Sequence, residues 1–228
     1  EFVQWIQKEL GLSIKVIDGN KEAKYGGIAA VNLLPINEGI SIDIGGGSSD
    51  MTLIKKGHIV DTYSLDLGTV RLKELFFDKG LTPSEINEKA KAYIHHALDQ
   101  LPKHFKHTLA IGIGGTARTL SKGIMKQVAY PLDKLHAFSY NVKEHQSYLD
   151  AIPLSSAKNL KRFGLKKSRY DTIREGTLIF NEILSHIGTE TVISSAAGVR
   201  EGVFLEQLLK KDNLKFPSRI NPSVISIL

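Results

Sequence analysis

The chain has 228 residues, of which 42% are hydrophobic and 24% charged, an ordinary globular composition that does not favour disorder. No apolar run approaches the roughly eighteen residues that a membrane span needs, and no cleavable signal pattern opens the chain. The absence of cysteine excludes disulfides and thiolate zinc sites. A net charge of +6 favours polyanions such as nucleic acid, anionic lipid or phosphate-rich small molecules, although an ordinary basic surface explains it equally well.

The first part of the chain predicts two helices, an intervening strand and then a meander. Apolar periodicity predicts helices over 2–10 and 20–34, and the alternation in 12–18 predicts a strand. Three further strands follow, separated by tight glycine turns, which is typical of an antiparallel meander. These strands are "GISIDIG" (39–45), "SDMTLIKKG" (49–57) and "HIVDTYSLDLG" (58–68).

The remaining chain alternates between helices and strands. Thr82 and Glu85 form a capping-box pattern at the start of a long helix, with Pro83 at its first position. A meander followed by such alternation predicts a mixed α/β sheet with flanking helices. The predicted helices cover 69–77, 82–101, 116–125 and 199–211, the predicted strands 107–115 and 189–198, and a mostly helical, basic region 141–186.

Three consecutive glycines and a serine, residues 45–48, lie between two of the predicted strands. Without Cβ atoms the backbone can approach an anion closely and turn its N–H groups toward it. Ser48 and Ser49 add hydroxyl donors, and Asp43 and Asp50 place a carboxylate at each edge, where a hard cation can bind. The pattern therefore favours a phosphate cradle over the alternative, a hairpin turn with solvated acids.

The stretch "DIGGGSSD" resembles the second phosphate motif of the sugar kinase, Hsp70 and actin superfamily. It is most similar to the exopolyphosphatase and guanosine pentaphosphate phosphohydrolase family, whose motif reads close to D-I-G-G-G-S-T-E. Stretches 17–27, 111–120 and 169–184 followed by 198–209 resemble that family in the same order. The resemblance covers about residues 12–209 and implies an α/β protein with the actin-like ATPase (ribonuclease H-like) fold.

The resemblance also implies the chemistry of the acids. Glu22 matches the family's glutamate that activates the attacking water, whereas the residues alone suggest a solvated acid between Lys21 and Lys24. The implied Mg²⁺ ligands are Asp43 and Asp50, with the qualification that Asp50 replaces the usual glutamate with a shorter side chain.

Two groups of residues are implied to bind phosphate. The basic stretch 158–170 suits a dense polyanion, although such a run is as often a solvated face. Arg118 and Arg200 are further candidates, while Arg200 and Glu201 also fit a structural ion pair. The expected phosphate-binding residues are Gly45, Gly46, Gly47, Ser48, Gly114, Gly115 and Thr116, and the expected polyanion-binding residues are Lys161, Arg162, Lys166 and Lys167.

A rival interpretation concerns residues 112–117, which satisfy G-x-G-x-x-A, with Asp133 at nearly the spacing of a dinucleotide fingerprint. This interpretation is weaker, because no clear strand ends at Asp133. The histidines show neither H-E-x-x-H nor a His-Asp pair, so hydrolase chemistry of those metal-dependent types finds no support.

The resulting hypothesis is a Mg²⁺-dependent phosphohydrolase that releases terminal phosphate from inorganic polyphosphate, guanosine pentaphosphate or both. A non-catalytic module that binds polyphosphate or guanosine tetraphosphate, and a kinase of the same superfamily, are the alternatives. We expect a cytoplasmic protein without nucleic-acid or membrane partners, and a homodimer stays open. We expect residues 1–34 to be the end of a first lobe without its phosphate loop, 35–209 a second lobe and 210–228 a tail, so that this chain alone can be inactive.

Overall fold

A computed structural model describes residues 1–212, and the predicted tail lies outside them from residue 213 onward. The helices of the described part are α1 (Phe2–Leu10), α2 (Gly19–Leu33), α3 (Thr69–Leu72), α4 (Pro83–Leu98), α5 (Gly114–Gln127), α6 (Gln146–Ala151), α7 (Ile173–Ile187) and α8 (Val199–Asp212). Its strands are β1 (Gly39–Ile44), β2 (Ser49–Lys55), β3 (His58–Leu65), β4 (Leu109–Ile113), β5 (Ser139–Asn141) and β6 (Thr191–Ser194). Within this part, no helix is long and apolar enough to span a bilayer.

The strands form one mixed sheet in the order β3-β2-β1-β4-β6-β5. The pairs β1–β2 and β2–β3 are antiparallel, which confirms the predicted meander. The pairs β1–β4 and β4–β6 are parallel, and β5 closes the far edge in antiparallel orientation. The predicted mixed sheet with flanking helices is confirmed.

The two faces of the sheet receive different side chains, because successive residues of a strand point to opposite sides. Ile40, Ile42 and Ile44 of β1 join a large core cluster with α4, α5 and α7. Asp43 of β1 and Asp50 of β2 lie directly opposite each other in the ladder and project to the other face, which α2 covers. The acids therefore share a face with the helix that carries Glu22.

One predicted strand is wrong. Residues 12–18 alternate like a strand, yet they lie in neither a helix nor a strand. Leu12 and Val16 are 59% and 75% exposed, so the apolar side of the alternation covers no described core. A strand requires a neighbour to hydrogen-bond with, and no strand of the described chain lies beside this segment.

Other differences concern short elements. Strand β5 was not predicted, because its three residues are too few for an alternation pattern. The helix predicted over 69–77 is α-helical to Leu72 and continues as a π-helical turn. At α4 the capping box is confirmed: Glu85 N–H donates to Thr82 Oγ1 at 3.3 Å, and Thr82 N–H donates to the Glu85 carboxylate at 2.8 Å. Asp133 lies in a short 3₁₀ turn at which no strand ends, so its position does not support the dinucleotide-binding interpretation.

Candidate active site

The two glycine loops meet at one edge of the sheet. Strands β1 and β4 are adjacent and parallel, and Asp43 is in register with Ile113, the last residue of β4. The loop 45–48 follows β1, and the turn 114–116 follows β4. In open α/β sheets ligands bind in crevices outside the carboxyl ends of such strands. The predicted phosphate-binding segments are therefore neighbours in space.

The loop 45–48 is anchored through its carbonyl groups. Gly45 N–H donates to the Ser48 carbonyl at 2.9 Å, and Thr69 N–H, in the first turn of α3, donates to the Gly45 carbonyl at 3.0 Å. The Gly46 carbonyl also accepts from α3. Within residues 1–212, the amides of Gly46, Gly47 and Ser48 donate to no protein acceptor. Main-chain donors are therefore available to an anion at this loop.

Gly68 permits the close approach of α3 to this loop. A Cβ at position 68 would lie only 2.2 Å from the Gly46 carbonyl oxygen. Glycine is therefore required here by a backbone contact, whereas the space around Gly47 is open and its Cβ would meet nothing within 4 Å. The anchor of the loop depends on a glycine outside the motif.

The second glycine turn is shaped around Asp43. Gly114 has a φ of 75°, and a Cβ at this position would lie 1.9 Å from Asp43 Oδ1. Gly114, Gly115 and Thr116 form the first turn of α5, whose N–H groups have no acceptor inside the helix. The Thr116 side chain is buried against Gly176 of α7, so the main chain of this turn, rather than the threonine hydroxyl, faces the sheet edge.

Arg169 packs against the turn formed by residues 114–116. A Cβ at Gly115 would be 2.6 Å from either Arg169 Nη atom, so the guanidinium packs directly on the glycine backbone. The N-terminus of a helix carries partial positive charge, which makes it an unfavourable place for a cation unless an anion binds between them. Arg169 forms no ion pair with a described acid. This cation and the α5 amides together define an anion-binding position.

Glu22 is held over the sheet by the first turn of α2. Asp18 caps the helix, accepting from Lys21 N–H at 2.7 Å. Thr52 Oγ1 of β2 donates to the Ala23 carbonyl at 2.6 Å, and Gly19 packs so closely that its Cβ would lie 2.2 Å from Ser64 Oγ. Burial chiefly raises the pKa of Asp43 and of Asp50, and the negative charge of the partly buried Glu22 adds to both shifts, so the three carboxylates lie within electrostatic range of one another.

The surroundings of Asp43 disfavour the negative charge of its carboxylate. Burial raises its pKa to about 6, and Glu22 adds to the shift, while the Arg118 guanidinium opposes it. The Arg118 guanidinium hydrogen-bonds to the backbone and donates at 2.9 Å to the carbonyls of both Gly114 and Ala196. Its position thus braces the second glycine turn and places one cation near Asp43.

Asp50 lies deeper than Asp43, with 6% of its surface exposed. Ser64 Oγ of β3 donates to its Oδ1 at 2.5 Å, and Ser48 Oγ is 3.5 Å from its Oδ2. Burial raises the pKa of Asp50 to about 6 as well. One carboxylate oxygen is thus occupied by the sheet, and the other faces the glycine loop.

The donor set fits a hard divalent cation only in part. No group of three or more histidine, aspartate and glutamate side chains in the described chain is close enough to hold a metal alone. Mg²⁺, however, commonly uses one or two carboxylates and takes its remaining ligands from water and substrate phosphate. Two acids whose charge is disfavoured by burial and by a third acid suit such a cation.

The basic stretch leads away from the site along α5. Arg169 lies at the start of α5, whereas Lys126, at the other end, donates to the Gly164 carbonyl at 2.5 Å. Arg162 donates to Ser155 Oγ at 3.2 Å and lies over the Phe163 ring. The four predicted polyanion-binding residues are all exposed: Lys161, Arg162, Lys166 and Lys167.

Arg200 and Glu201 do not form the ion pair that the sequence suggested as one alternative. Glu201 instead accepts from Gly198 N–H at 2.7 Å at the start of α8, and the described salt bridges include none between Glu201 and Arg200. Arg200 is exposed near the loop that follows β6.

Sequence reasoning missed the specific position of Arg169, which it included only in a general basic run. The available signal was its place immediately before Tyr170 in the stretch 169–184, one of the segments that carry the family resemblance.

The comparison with known families decides the relationship. The sequence model of the Ppx/GppA phosphatase family matches residues 1–211 of the chain. The chain belongs to the Ppx/GppA phosphatase family. The resemblance inferred from the four motifs is therefore confirmed.

Solved structures of Ppx/GppA proteins share the fold. The chain is similar to the Aquifex aeolicus family member, with 27% identity and a TM-score of 0.77 over 92% of this chain and 69% of that one. It is also similar to an exopolyphosphatase from Cytophaga hutchinsonii, with 22% identity and a TM-score of 0.79 over 94% and 70% of the two chains. The predicted actin-like ATPase fold is confirmed.

A curated relative places the family region inside a longer protein. The bifunctional 3-dehydroquinate synthase/phosphatase of Fusobacterium nucleatum is 31% identical over 217 residues, which are 92% of this chain. The chain spans only 32% of that relative's length.

Proposed function

We propose that the chain provides the base, the cation ligand and one phosphate loop of a hydrolase that removes terminal phosphate from inorganic polyphosphate or guanosine pentaphosphate. The observation that carries the proposal is the juxtaposition of loop 45–48, with its available amides, and the neighbouring carboxylates of Glu22, Asp43 and Asp50. Amides suit phosphate oxygens, and the acids suit a base and a cation ligand. The phosphatase and exopolyphosphatase names of the relatives support this assignment.

The terminal phosphoryl group would be held by the main-chain amides of Gly46, Gly47 and Ser48, with Arg169 and the α5 amides opposite. Phosphoryl transfer depends chiefly on positioning and on neutralising the charge of the phosphoryl oxygens. Preorganised donors meet this need without having to reorient during the reaction.

Glu22 would act as the general base. Within the described chain no side chain donates a hydrogen bond to its carboxylate, which leaves its oxygens free to accept from a water molecule. The water oxygen attacks the terminal phosphorus, the bond to the bridging oxygen breaks, and Glu22 accepts the water proton. The products are inorganic phosphate and a chain or nucleotide shortened by one phosphate.

Mg²⁺ would be held by Asp43, with the loop-facing oxygen of Asp50 as the second protein ligand. Bound there, the ion would neutralise charge on the phosphate oxygens. Asp43 itself orients toward the meeting point of the two glycine loops, because Gly114 leaves room for its carboxylate.

The exposed basic stretch would receive the more distant phosphates of a long substrate. Arg169 lies at the site end of this stretch and Gly164 contacts Lys126 near the other end of α5, so exposed cations beside α5 would attract a linear polyanion.

The proposal is tested by measuring phosphate release from polyphosphate and from guanosine pentaphosphate in the presence of Mg²⁺. The measurement uses the chain itself and the chain extended by any upstream segment that its natural gene encodes. Glu22→Gln keeps the size of the side chain but cannot accept the proton, so it should bind substrate and lose turnover. Glu88→Gln, an exposed residue of α4, is the matched control.

Each outcome separates the candidate functions. Release by the wild-type protein with loss in Glu22→Gln supports the hydrolase. Binding of polyanion without release indicates a binding module, and phosphate transfer from ATP to an acceptor indicates a kinase. Wild-type turnover in Glu22→Gln would remove this residue from the mechanism.

A further inference from the structure

Helices α2 and α8 cross at a backbone contact. A Cβ at Gly202 of α8 would lie 1.9 Å from the carbonyl oxygen of Tyr25 in α2. No side chain fits at this point, so the two helices touch directly. Because Tyr25 lies one helical turn beyond the first turn of α2, the crossing fixes α2 close to Glu22.

Glu206 lies one turn after Gly202 and reaches from α8 to α2. It is 8% exposed. Lys21 Nζ donates to its Oε1 at 3.2 Å, Tyr25 Oη donates to its Oε2 at 3.2 Å, and Lys24 Nζ is 3.6 Å from Oε1. The hydrogen bond to Glu206 raises the pKa of Lys21. A carboxylate buried beneath α2 therefore holds both lysines that flank Glu22 in the sequence.

The helix geometry explains why this arrangement affects the proposed base. Lys21 and Lys24 are three residues apart and share a helix face, whereas Glu22 projects roughly 100° from Lys21. Both lysines turn toward α8, while Glu22 lies within electrostatic range of Asp43 and Asp50. A lysine ammonium on a flexible stem, once released, can fold toward the nearest carboxylate.

We infer that Glu206 is a positioning residue for catalysis: at the crossing of α2 and α8 it holds Lys21 and Lys24 away from Glu22. This inference rests on the proposed function of Glu22. Glu206 itself touches neither substrate nor the reacting atoms, so its contribution is to the rate of the chemical step and not to substrate affinity.

The test measures steady-state phosphate release by Glu206→Gln. Glutamine keeps an acceptor for Tyr25 but loses the charge that holds the lysines. We expect kcat to fall about tenfold or more, since small displacements of a catalytic group carry large rate costs, and KM to change less than about twofold. Replacing both lysines in the same variant (Lys21→Gln and Lys24→Gln) should restore kcat to within about threefold of the wild-type value.

The control is Glu182→Gln in α7. Glu182 has a similarly buried side chain and also pairs with two bases, Lys91 at 2.9 Å and His95 at 2.6 Å, but lies away from α2. Its loss should leave both kinetic parameters unchanged. If Glu206→Gln does not fold, Glu206→Asp, which keeps the charge on a shorter stem, enters the same comparison.

The possible failures are distinguishable. Unchanged kcat in the Glu206 variant, or a loss that removal of the lysines does not restore, overturns the positioning role and leaves the proposed function intact. Absence of phosphate release by the wild-type chain, both alone and with its natural upstream segment, overturns both.

Discussion

The carboxylate of Asp43 fills the space in which a side chain at Gly114 would lie. Asp43 lies on β1 and Gly114 follows β4, and a Cβ on Gly114 would be only 1.9 Å from Asp43 Oδ1. The carboxylate beside the loop 45–48 therefore occupies the space next to the second glycine turn. This contact couples the placement of a proposed cation ligand to the start of α5.

Gly114→Ala should therefore damage both stability and activity. The left-handed backbone, with φ of 75°, costs a residue with a side chain about 1–2 kcal/mol, and the clash must also displace Asp43. We expect loss of that stability or more in urea unfolding, and at least a tenfold lower kcat/KM.

Gly57→Ala is the matched control. Gly57 has nearly the same φ, 74°, but its Cβ would meet nothing within 4 Å. It should show the backbone cost alone and retain full activity. Equal activity of the two variants would contradict a role for the Asp43 contact.

Asp43→Asn should weaken the dependence of the reaction on Mg²⁺. Asparagine preserves the shape beside Gly114 but removes the charge that attracts a hard cation. We expect the Mg²⁺ concentration for half-maximal rate to rise about tenfold or more, measured by titrating initial rates. Asp133→Asn, on an exposed turn, should leave the titration unchanged, and an unaltered Asp43→Asn curve would exclude this residue as a ligand.

Arg169→Gln should raise KM for phosphate substrates by about tenfold, because it removes a charge-assisted donor beside the α5 N-terminus. Arg169→Lys keeps the charge but loses the planar donor pair, so partial recovery is expected. Inhibition by inorganic phosphate gives an independent measure of anion affinity. Lys89→Gln, exposed on α4, is the control; a KM unchanged by Arg169→Gln would remove the arginine from the site.

Glu175 should make stability depend on pH. This residue is fully buried in α7, and neither carboxylate oxygen has a hydrogen-bond partner in the described chain, the nearest cation being Arg174 Nη2 at 3.9 Å. Burial raises the pKa of Glu175 from 4.5 to about 7, although Arg174 opposes the shift. Between these values the folded protein binds more protons than the unfolded chain, so its stability falls as pH rises from about 4.5 to 7. The expected total is about 3 kcal/mol.

Glu175→Gln stays neutral and should lose this part of the pH dependence. Urea unfolding at pH 5 and pH 8 measures it as the difference between wild-type and variant slopes. Glu144→Gln, an exposed residue, should reproduce the wild-type difference. A Glu175→Gln protein that loses as much stability as the wild type between these pH values would contradict the prediction.

Neutralising the basic stretch should affect long substrates selectively. Replacing its four predicted residues by glutamine should weaken binding of long polyphosphate at low salt, with much less effect on a short phosphate chain. A fluorescence titration with two chain lengths distinguishes the cases. The control replaces four exposed lysines elsewhere, Lys79, Lys89, Lys103 and Lys134; equal losses from both sets would show only a general charge effect.

Local patterns were sufficient for the elements that depend on local chemistry. The capping box of α4 and the glycine turns of the meander follow from a few adjacent residues, and the structure confirms them. The segment 12–18 shows the limit, because alternation records a preference for strand but not the presence of a neighbour to pair with.

The site likewise contains residues that the sequence predicts and residues that only tertiary packing brings into place. The glycine loop and its flanking acids were visible as one continuous motif, whereas the approach of Glu22 depends on packing of α2 against β2, through Thr52 and Gly27. The position of Arg169 depends on how the basic stretch returns along α5. Neither approach has a periodic signal in the sequence.

The hydrogen bonds of loop 45–48 have a consequence for how this site can change during evolution. The amide donors belong to the main chain, so a substitution by any residue other than proline does not delete them, and their loss otherwise requires a shift of the backbone. Such a shift is most directly produced at Gly68, where any side chain would push α3 off the Gly46 carbonyl. Anion recognition at the loop is therefore robust to most point mutations within it. It is vulnerable at Gly68, twenty residues after Ser48, in a segment that carries no phosphate motif of its own.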